Sequence, residues 1–383
     1  MTLPPETLLP DDLLERFRSR AADYDARNAF CQEDFDELSE HGYLKLLCSQ
    51  NDGGASADIS TAAACQRRLA AAAPATALAV NMHLVWTAVA KLMQAGGDDS
   101  LTFVLREAAE GEVFAFGLSE PGNESVLFDS RTRAEKREDG GFAFTGVKIF
   151  TSLSPVWTRL GVFGKNADGG EGRLVHGFVT RGSDGVEILQ DWNTVGMRAT
   201  QSHTTRLDGV VVPPERIFRL LPVGPNRDPL VFAIFASFET LISAVYTGIA
   251  DRALQLAVEA AQGHGPGMDG TPYVSRPGVR AAVADAAMKW EALDCHLRMV
   301  AGDIDEGKDH GDKWFAKLVA LKTHATNFAR EVVATASSVA GGRSYYSDSE
   351  IARLMRDVAA GSFHPSSPDS ARRTVANAWL GNE

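Results

Sequence analysis

Residue types that could do chemistry concentrate in one stretch, residues 114–152. The polar turn at residues 119–125 (SEPGNES) offers hydroxyls and backbone amides that can hold an anion or the polar edge of a ring. A predicted strand at residues 142–150 follows, in which Phe142 and Phe144 show the period of two of a half-buried strand. An ordinary turn between strands has the same pattern, so these residues alone leave an active site open.

The histidines and cysteines give no sequence support for a metal site. No HxxxH or HExxH arrangement occurs among the nine histidines. Cys31, Cys48, Cys65 and Cys295 include no CxxC pair, and buried free thiols are their expected state. We therefore predict no bound metal ion.

Charge and hydropathy exclude several classes of partner. The formal net charge is -12 and no run of Lys and Arg occurs, which argues against nucleic acid. The apolar stretch at residues 69–80 contains Pro74 and is shorter than the roughly 20 residues that a membrane-spanning helix needs. No basic and apolar leader opens the chain. These features predict a cytoplasmic protein with a small-molecule substrate and no membrane partner.

Three regions that differ in composition and periodicity must position the polar turn. Residues 1–112 have helical patterns rich in Ala, Leu and Val. Residues 113–225 consist of short alternating segments separated by Gly, Asp and Asn, which predicts a β-domain. Residues 226–383 return to long helical patterns. The chain is thus predicted to be α+β, mostly α, with three domains.

Turn residues and periodicity give the expected elements. Asp139-Gly140-Gly141 predicts a hairpin turn, and residues 157–164 and 173–181 flank a second hairpin loop at 166–170. A strand is expected to end at Pro213-Pro214. The predicted N-terminal helices are residues 11–25, 35–47, 59–69 and 76–93, and the predicted antiparallel bundle consists of residues 230–261, 278–305, 310–340 and 353–360.

Five short motifs occur in an order that resembles the acyl-CoA dehydrogenase superfamily. They are Ser119-Glu120-Pro121, residues 146–152 (GVKIFTS), Gly196-Met197-Arg198, residues 341–345 (GGRSY) and residues 354–357 (LMRD). Each motif is short, but five in order span nearly the whole chain. The resemblance implies an N-terminal helical domain, a central β-barrel-like domain and a C-terminal four-helix bundle. It also implies a homotetramer assembled as a dimer of dimers.

The resemblance implies a flavin held between the β-domain and the bundle, with help from a neighbouring subunit. FAD is expected, with FMN as the alternative. Phe150 matches an aromatic wall, and Ser152 matches a hydroxyl near the reactive nitrogen, where a donor stabilises negative charge on the reduced ring. From the residues alone, Phe150 is equally a core ring, Ser152 a strand-end cap and Gly341 a helix C-cap. The implied cofactor-binding positions are Leu118, Ser119, Ser125, Phe150, Ser152, Gly341 and Gly342.

The glutamate that an acyl-CoA dehydrogenase uses to remove an α-proton is absent from both family positions. In the loop after LMRD, residues 364–367 (HPSS) place Pro365 where the base is expected. In the bundle, the spacing to Gly248 reaches Phe238, and Glu239 is one residue away. A one-residue slip turns a helical side chain by about 100°. Glu239 is therefore a candidate for a displaced base, and an ordinary paired carboxylate is the alternative.

These departures resemble one branch of the superfamily, the two-component flavin monooxygenases. Residues 264–268 (HGPGM) lack the arginine that helps to hold the cofactor diphosphate, which implies a loosely bound flavin. Members of this branch receive reduced flavin from a separate reductase and need a dry pocket more than a carboxylate. His364 and His83 match histidines of the branch, and His364 could act as a proton donor or acid/base. A satisfied core histidine is the alternative for both.

Three phenylalanines and one arginine are candidates for the substrate side. Phe232, Phe235 and Phe238 recur at three-residue spacing on one predicted helix, which gives either an apolar substrate wall or a core stripe. Arg198 is expected to fix the loop beside the pocket, with a surface salt bridge as the alternative.

The sequence thus predicts a flavin-dependent oxidoreductase. We favour an oxygen-using monooxygenase acting on a small apolar or aromatic substrate. An acyl-CoA dehydrogenase with Glu239 as a displaced base is the first alternative. A scaffold that keeps the fold but binds no flavin is the second, and the intact Ser119-Glu120-Pro121 and Ser152 positions argue against it.

Overall fold

The structure is a computed structural model that describes residues 3–167 and 172–381. These residues form eleven α-helices and eight β-strands. The helices are α1 (Pro5–Leu8), α2 (Asp11–Arg27), α3 (Gln32–Glu40), α4 (Ile59–Ala72), α5 (Pro74–Ala95), α6 (Thr102–Ala109), α7 (Pro229–Gly263), α8 (Pro277–Asp305), α9 (Trp314–Ala340), α10 (Glu350–Ala359) and α11 (Pro368–Leu380). The strands are β1 (Phe114–Gly117), β2 (Arg133–Lys136), β3 (Phe142–Lys148), β4 (Arg159–Asn166), β5 (Arg173–Thr180), β6 (Val186–Ile188), β7 (Thr205–Val212) and β8 (Ile217–Pro222).

The α+β, mostly α class is confirmed. Helix gives way to strand between Ala109 and Phe114, and strand gives way to helix between Pro222 and Pro229. In the N-terminal region the predicted helix at residues 35–47 is wrong in its bounds. α3 ends at Glu40, and Gly42 adopts a positive φ of 79° that stops the helix before a short 3₁₀ turn.

The strands form one mixed sheet in the order β6-β7-β3-β2-β4-β5-β8, and β1 pairs with β4 in parallel. The hairpin predicted at Asp139-Gly140-Gly141 joins the antiparallel strands β2 and β3. The second predicted hairpin is the antiparallel pair β4 and β5. Most of its loop, residues 168–170, lies outside the described residues. β7 ends before Pro213, as expected.

The C-terminal helices pack around α7. Its start follows from Asp228, whose side chain accepts a hydrogen bond from the Leu230 amide, and from Pro229 in the first turn. α7 contacts α8, α9 and α10, and also α4 and α5 of the N-terminal region. The sequence analysis missed α11, which packs on α9. Its Ser367 cap and Pro368 start were visible, but only Ala371 on this helix is buried, so the apolar pattern is weak.

Two helices, α5 and α7, are long and apolar enough to cross a membrane by length and composition. In each helix, 89% of the most apolar stretch of 18 residues is buried inside the protein, as is usual for core helices. Both helices are longer than the apolar stretch at residues 69–80 that the sequence analysis considered. A helix can be buried on all sides even when polar residues interrupt its apolar sequence.

Ion pairs, here called the charged clamps, tie the N-terminal helices to the C-terminal helices. Arg67 on α4 pairs with Asp251 on α7 and with Asp294 on α8. Arg356 on α10 pairs with Asp25 on α2. The ends of the bundle are therefore fixed against the N-terminal helices on two sides.

Candidate active site

The polar turn after β1 is organised by the side chain of Glu120. Its carboxylate accepts hydrogen bonds from the Ser130 and Thr132 hydroxyls at 2.6 and 2.7 Å and from the Arg131 amide at 2.7 Å. Lys148 on β3 donates to the same carboxylate at 2.6 Å and to the Phe163 carbonyl at 2.7 Å. The turn is thus locked to the sheet by a buried ion pair.

The charges of this pair are maintained by their mutual contact. Burial alone would raise the pKa of Glu120, but Lys148 and the other donors lower it to about 2. Burial lowers the pKa of Lys148 to about 8, against the opposing effect of Glu120. Both groups are therefore charged at neutral pH and leave no free proton for catalysis. Their role is to shape the turn.

The turn borders a groove of about 350 Å³, lined by residues 122–125 and 129–131. Ser125 lies in this groove and is exposed, and its amide is fixed by the Asn123 side chain at 2.9 Å. Ser119 is half-buried, and Leu118 is buried in the core at the end of β1. The turn therefore presents Ser125 at the surface, while Leu118 packs inside.

A wall beside the sheet consists of two loops, residues 150–153 and 197–202, with an unusual backbone. Four of their non-glycine residues have positive φ: Phe150 at 57°, Leu153 at 64°, Met197 at 52° and Gln201 at 43°. Such conformations are strained for these residues, and strain of this kind clusters at functional sites. A hydrogen bond between the Ser152 and Ser202 hydroxyls joins the two loops, and the Thr151 amide donates to the carbonyl of the next residue, His203. We name the two loops together the flavin wall, after the cofactor that the sequence resemblance implies at Phe150 and Ser152.

The flavin wall carries an exposed aromatic ring next to a chain of hydroxyls. Phe150 follows β3, is 48% exposed and meets Trp192 edge to face at 6.1 Å. The Ser152 hydroxyl hydrogen-bonds the Ser202 hydroxyl at 2.8 Å, which in turn bonds that of Thr200 at 2.8 Å. Phe150 is thus not a core ring. β3 ends at Lys148, two residues before the predicted end of the strand, so Ser152 lies in the following turn. It belongs to a hydroxyl network and is not a strand-end cap.

α10 holds the flavin wall in place. The Asp357 carboxylate accepts a hydrogen bond from the Met197 amide at 2.6 Å, and burial raises its pKa to about 6. A Cβ on Gly196 would lie 2.1 Å from the Arg356 carbonyl oxygen, so glycine permits this close approach. The motif at residues 196–198 therefore packs directly against the motif at residues 354–357.

The structure places His364 against Tyr246 of α7. The Tyr246 hydroxyl and His364 Nε2 are 2.8 Å apart. Burial and the nearby Lys322 ammonium lower the pKa of His364 to about 3, and burial raises the pKa of Tyr246 well above its ordinary value. The pair is thus a neutral imidazole and a neutral phenol at pH 7, joined by one hydrogen bond.

Glu239 and Lys322 lie beside this pair. Glu239 Oε1 accepts hydrogen bonds from the Ser366 amide at 3.2 Å and from its hydroxyl at 3.1 Å. Lys322 Nζ donates to the carbonyl oxygens of His364 and Ser366, both at 2.9 Å. Burial raises the pKa of Glu239 to about 7, although Lys322 and Ser366 oppose the shift. Among the described residues, no group partners Glu239 Oε2.

His83 does not join this cluster. It is fully buried between α5 and β1, where Nε2 contacts the Leu44 carbonyl at 2.8 Å and Nδ1 accepts a hydrogen bond from the Phe114 amide at 3.1 Å. Burial lowers its pKa to about 4. With both ring nitrogens engaged by the backbone, the geometry contradicts a catalytic role and makes His83 a satisfied core histidine.

The three phenylalanines of α7 diverge in their contacts. Phe232 packs on Trp314 of α9, and Phe235 packs on Phe315 of α9 at 5.0 Å between ring centres. Phe238 is stacked on Phe116 of β1 at 5.7 Å. Phe238 therefore joins α7 to the strand that leads into the polar turn, whereas Phe232 and Phe235 mainly hold the start of α9.

Arg198 has a positioning contact at the junction of two regions. Its guanidinium donates to the backbone carbonyls of Asp25 at 2.8 Å and Thr194 at 3.0 Å. It therefore fixes the flavin wall against α2, which is the loop-fixing role expected from the sequence. The surface salt bridge that was the alternative is not what the described contacts show.

Gly341 and Gly342 directly follow the end of α9. Gly341 is the C-cap residue and has a positive φ of 65°, and a Cβ on either glycine would meet no atom within 4 Å. Their expected cofactor contact needs a neighbouring subunit, so it stays a prediction.

Glu291, Asp294 and Cys295 on α8 place ligand atoms within 4.8 Å of one another. Asp294 is already paired with Arg67 and Arg298, and two of the three residues are exposed. The group contains no feature that points to a metal ion beyond its acidity.

Comparisons with known proteins agree with this architecture. The sequence model of the acyl-CoA dehydrogenase N-terminal domain matches residues 13–112, and that of the acyl-CoA dehydrogenase C-terminal domain matches residues 240–367. The chain belongs to the acyl-CoA dehydrogenase superfamily. It is a flavin-dependent oxidoreductase of that superfamily.

Individual relatives are similar along almost their whole length. The putative acyl-CoA dehydrogenase YdbM of Bacillus subtilis (strain 168) is 26% identical over 381 residues, covering 95% of this chain and 93% of YdbM. A dibenzothiophene monooxygenase of Rhodococcus erythropolis is 28% identical over 373 residues, covering 92% and 88%. The structure of KijD3 in complex with FMN and dTDP-3-amino-2,3,6-trideoxy-4-keto-3-methyl-D-glucose has a TM-score of 0.86 and 25% identity, covering 99% of this chain and 94% of KijD3.

The residues present fit a flavin. The exposed Phe150 ring offers an apolar face, and Ser152 offers a hydroxyl at the same place. Buried polar atoms without a partner among the described residues occur on two elements: Thr151 Oγ1 in the flavin wall, and Ser237 Oγ, Thr240 Oγ1 and Glu239 Oε2 on α7. Such atoms are costly unless a bound group satisfies them. The flavin wall and α7 therefore offer both kinds of contact that a flavin ring needs.

Sequence reasoning missed Tyr246, Lys322 and Ser366. A signal existed for Lys322, which shares a buried helical stripe with Leu318, Ala325 and Ala329. A lysine on such a stripe must find partners, so it marks a polar site inside the bundle. Tyr246 carried no comparable signal, because a buried tyrosine on an apolar helix is common in cores.

Proposed function

We propose that this protein is a flavin-dependent monooxygenase that uses dioxygen on a small apolar or aromatic substrate. The observation that carries this proposal is the neutral pair of His364 and Tyr246 of α7, 2.8 Å apart, with His364 in the loop where a dehydrogenase needs a carboxylate. Similarity to a dibenzothiophene monooxygenase supports the same reaction class.

The flavin, when bound, supplies the electrons and the site of oxygen chemistry. The residues of the chain bind and orient it, with Phe150 against the ring and Ser152 as a hydroxyl donor. Phe238 and Phe116 form an apolar surface beside α7 that excludes water. His364 and Tyr246, both neutral, hold a proton at Nε2 or at the phenol oxygen. Giving this proton to a reacting group would leave the pair with one negative charge, which a proton from solvent would then neutralise.

Several properties of the working enzyme belong to this proposal. The sequence resemblance implies FAD with FMN as the alternative, and similarity to the FMN complex of KijD3 favours FMN. A separate reductase would supply reduced flavin in the cytoplasm. A homotetramer is supported by exposed apolar side chains in the C-terminal segment, namely Tyr345, Tyr346, Phe363, Trp379 and Leu380. Phe363 is 73% exposed next to His364, so a neighbouring subunit there would help to close the site.

The proposal is tested by supplying reduced FMN and ¹⁸O₂ with a panel of small aromatic compounds that includes dibenzothiophene. We expect one ¹⁸O atom in the product of at least one compound. If no compound gains ¹⁸O and acyl-CoA thioesters bleach the oxidised flavin instead, the proposal is wrong.

Glu239 favours a second candidate, an acyl-CoA dehydrogenase with a displaced base. The carboxylate is buried, has a pKa raised to about 7 and has one oxygen without a partner among the described residues. Those are the properties of a general base. Bleaching that is lost in Glu239→Gln would support this candidate. A preparation that takes up neither FAD nor FMN would point to a non-catalytic scaffold.

A further inference from the structure

Two buried charged side chains hold one residue of the C-terminal loop from opposite sides. The amide and the hydroxyl of Ser366 donate hydrogen bonds to the Glu239 carboxylate of α7. The Ser366 carbonyl oxygen accepts a hydrogen bond from the Lys322 ammonium of α9. Lys322 also binds the carbonyl oxygen of His364, two residues earlier. We propose that Lys322 and Glu239 are positioning residues that hold the His364 loop, residues 364–366, against Tyr246.

The loop needs such contacts because it has no regular structure of its own. It lies between a short 3₁₀ turn, Ala360–Ser362, and the start of α11 at Pro368. Backbone groups in a partly enclosed loop must find partners, and neighbouring strands or helical turns do not supply them here. Lys322 and Glu239 supply four hydrogen bonds to this loop.

Both side chains come from long helices that fix their positions. Lys322 is 3% exposed and lies on the buried stripe of α9, and Glu239 is 1% exposed on α7. α7 and α9 pack against each other along the bundle. Tyr246 also belongs to α7, two turns after Glu239, so one helix carries the partner of the imidazole and one of the two anchors of its loop. A site built on rigid elements keeps its geometry more accurately than one built on a loop.

The burial of these charges argues that they hold the loop and do not merely fill the core. Burying a lysine and a glutamate is costly, and apolar residues of similar size often stabilise a protein as well or better. An apolar side chain at position 322 would remove the donor to the His364 and Ser366 carbonyls. The ammonium gives both carbonyls a strong, charge-assisted hydrogen bond from a single atom. The inference rests on the proposed function in one respect, that His364 is a working residue.

The first test measures the rate of hydrogen exchange at the Ser366 amide in the flavin-free protein, which reports how firmly the loop is held. In Lys322→Met and Glu239→Ala we expect exchange to accelerate about tenfold or more, since each loses charged hydrogen bonds to the loop. Glu239→Gln keeps an oxygen acceptor for Ser366 and should stay within about threefold of the wild type. Lys317→Met, on the same helix, is the matched control and should not change exchange at Ser366.

The second test asks whether Lys322 acts through His364. Each variant is loaded with reduced flavin, mixed with oxygen and followed for the lifetime of the transient absorbance that precedes oxidised flavin. His364→Ala should shorten this lifetime in the wild-type background and change it less than about twofold in Lys322→Met, because coupled residues are not additive.

The two tests separate the possible failures. Unchanged exchange at Ser366 in Lys322→Met, whether or not the melting temperature falls, overturns the positioning role. Fully multiplicative effects of Lys322→Met and His364→Ala overturn it as well. If the wild type shows no transient at all, the proposed function fails, while the exchange experiment still decides whether the two charges hold the loop.

Discussion

At the scale of single residues, the site depends on which buried groups are charged. Glu120 and Lys148 hold each other ionised within the sheet, whereas His364 and Tyr246 are neutral. Glu239 is intermediate, because burial raises its pKa to about 7, into the range in which enzymes work. The difference between the ordinary pKa of a glutamate and the raised pKa of Glu239 predicts how the stability of the protein should vary with pH.

Glu239→Gln should become more stable relative to the wild type as the pH rises. A carboxyl group whose folded-state pKa is raised favours the folded protein at low pH and loses that contribution as the pH rises through the folded pKa. For Glu239 the loss should occur between about pH 4.5 and about pH 7. Glutamine does not titrate, so we expect the difference in unfolding free energy to grow by roughly 1–3 kcal/mol over this window.

Urea unfolding at a series of pH values measures this difference. Glu331→Gln is the matched control, because Glu331 is an exposed carboxylate on α9. A Glu239→Gln difference that is flat from pH 4.5 to pH 8 would show that burial does not raise this pKa.

At the scale of elements, the contact between the flavin wall and α10 depends on one glycine. A Cβ on Gly196 would lie 2.1 Å from a backbone oxygen of α10, which cannot move as a flexible side chain can. Gly196→Ala should therefore destabilise the protein by about 1–3 kcal/mol and weaken flavin binding, because the flavin wall must shift.

Thermal unfolding and a flavin titration followed by fluorescence measure the two effects. Gly302→Ala within α8 is the control, since its Cβ would meet no atom within 4 Å and alanine favours a helix by about 0.5–1 kcal/mol. Gly196→Ala with wild-type stability and flavin affinity would rule out this contact as a support of the site.

The element scale also shows what local sequence can predict. The Asp228-Pro229 start of α7 and the Asp139-Gly140-Gly141 hairpin were predictable, because caps and turns depend on a few adjacent residues. The positive φ of Phe150 was not, since a phenylalanine in that conformation is imposed by tertiary contacts. α11 was missed for a related reason: its packing on α9 leaves a weak apolar pattern.

At the scale of the whole molecule, the site joins parts that are far apart in sequence. The resemblance to the superfamily predicts Phe150, Ser152 and His364 as site residues, because such positions are matched one by one from short motifs. It could not predict the hydrogen bonds of Lys322 and Glu239 to Ser366, because these depend on how α7 and α9 pack against the C-terminal loop. His83 shows the reverse error, since a motif match placed a core histidine in the site.

The charged clamps explain how these distant parts keep a common geometry. Arg356 and Asp25 join α10 to α2, and Arg67 joins α4 to α7 and α8. Arg198 fixes the flavin wall to the end of α2. The flavin wall, α7 and the His364 loop are thus held by the same frame, on which the proposed oxygen chemistry depends.

The most direct test of that chemistry mixes the protein, loaded with reduced FMN, with oxygenated buffer in a stopped-flow instrument. We predict a long-lived transient absorbance before oxidised flavin forms, with a lifetime shortened about tenfold or more in His364→Ala and also shortened in Tyr246→Phe. Immediate formation of oxidised flavin in the wild type, with no transient, would contradict the monooxygenase account and leave Glu239 as the residue to study next.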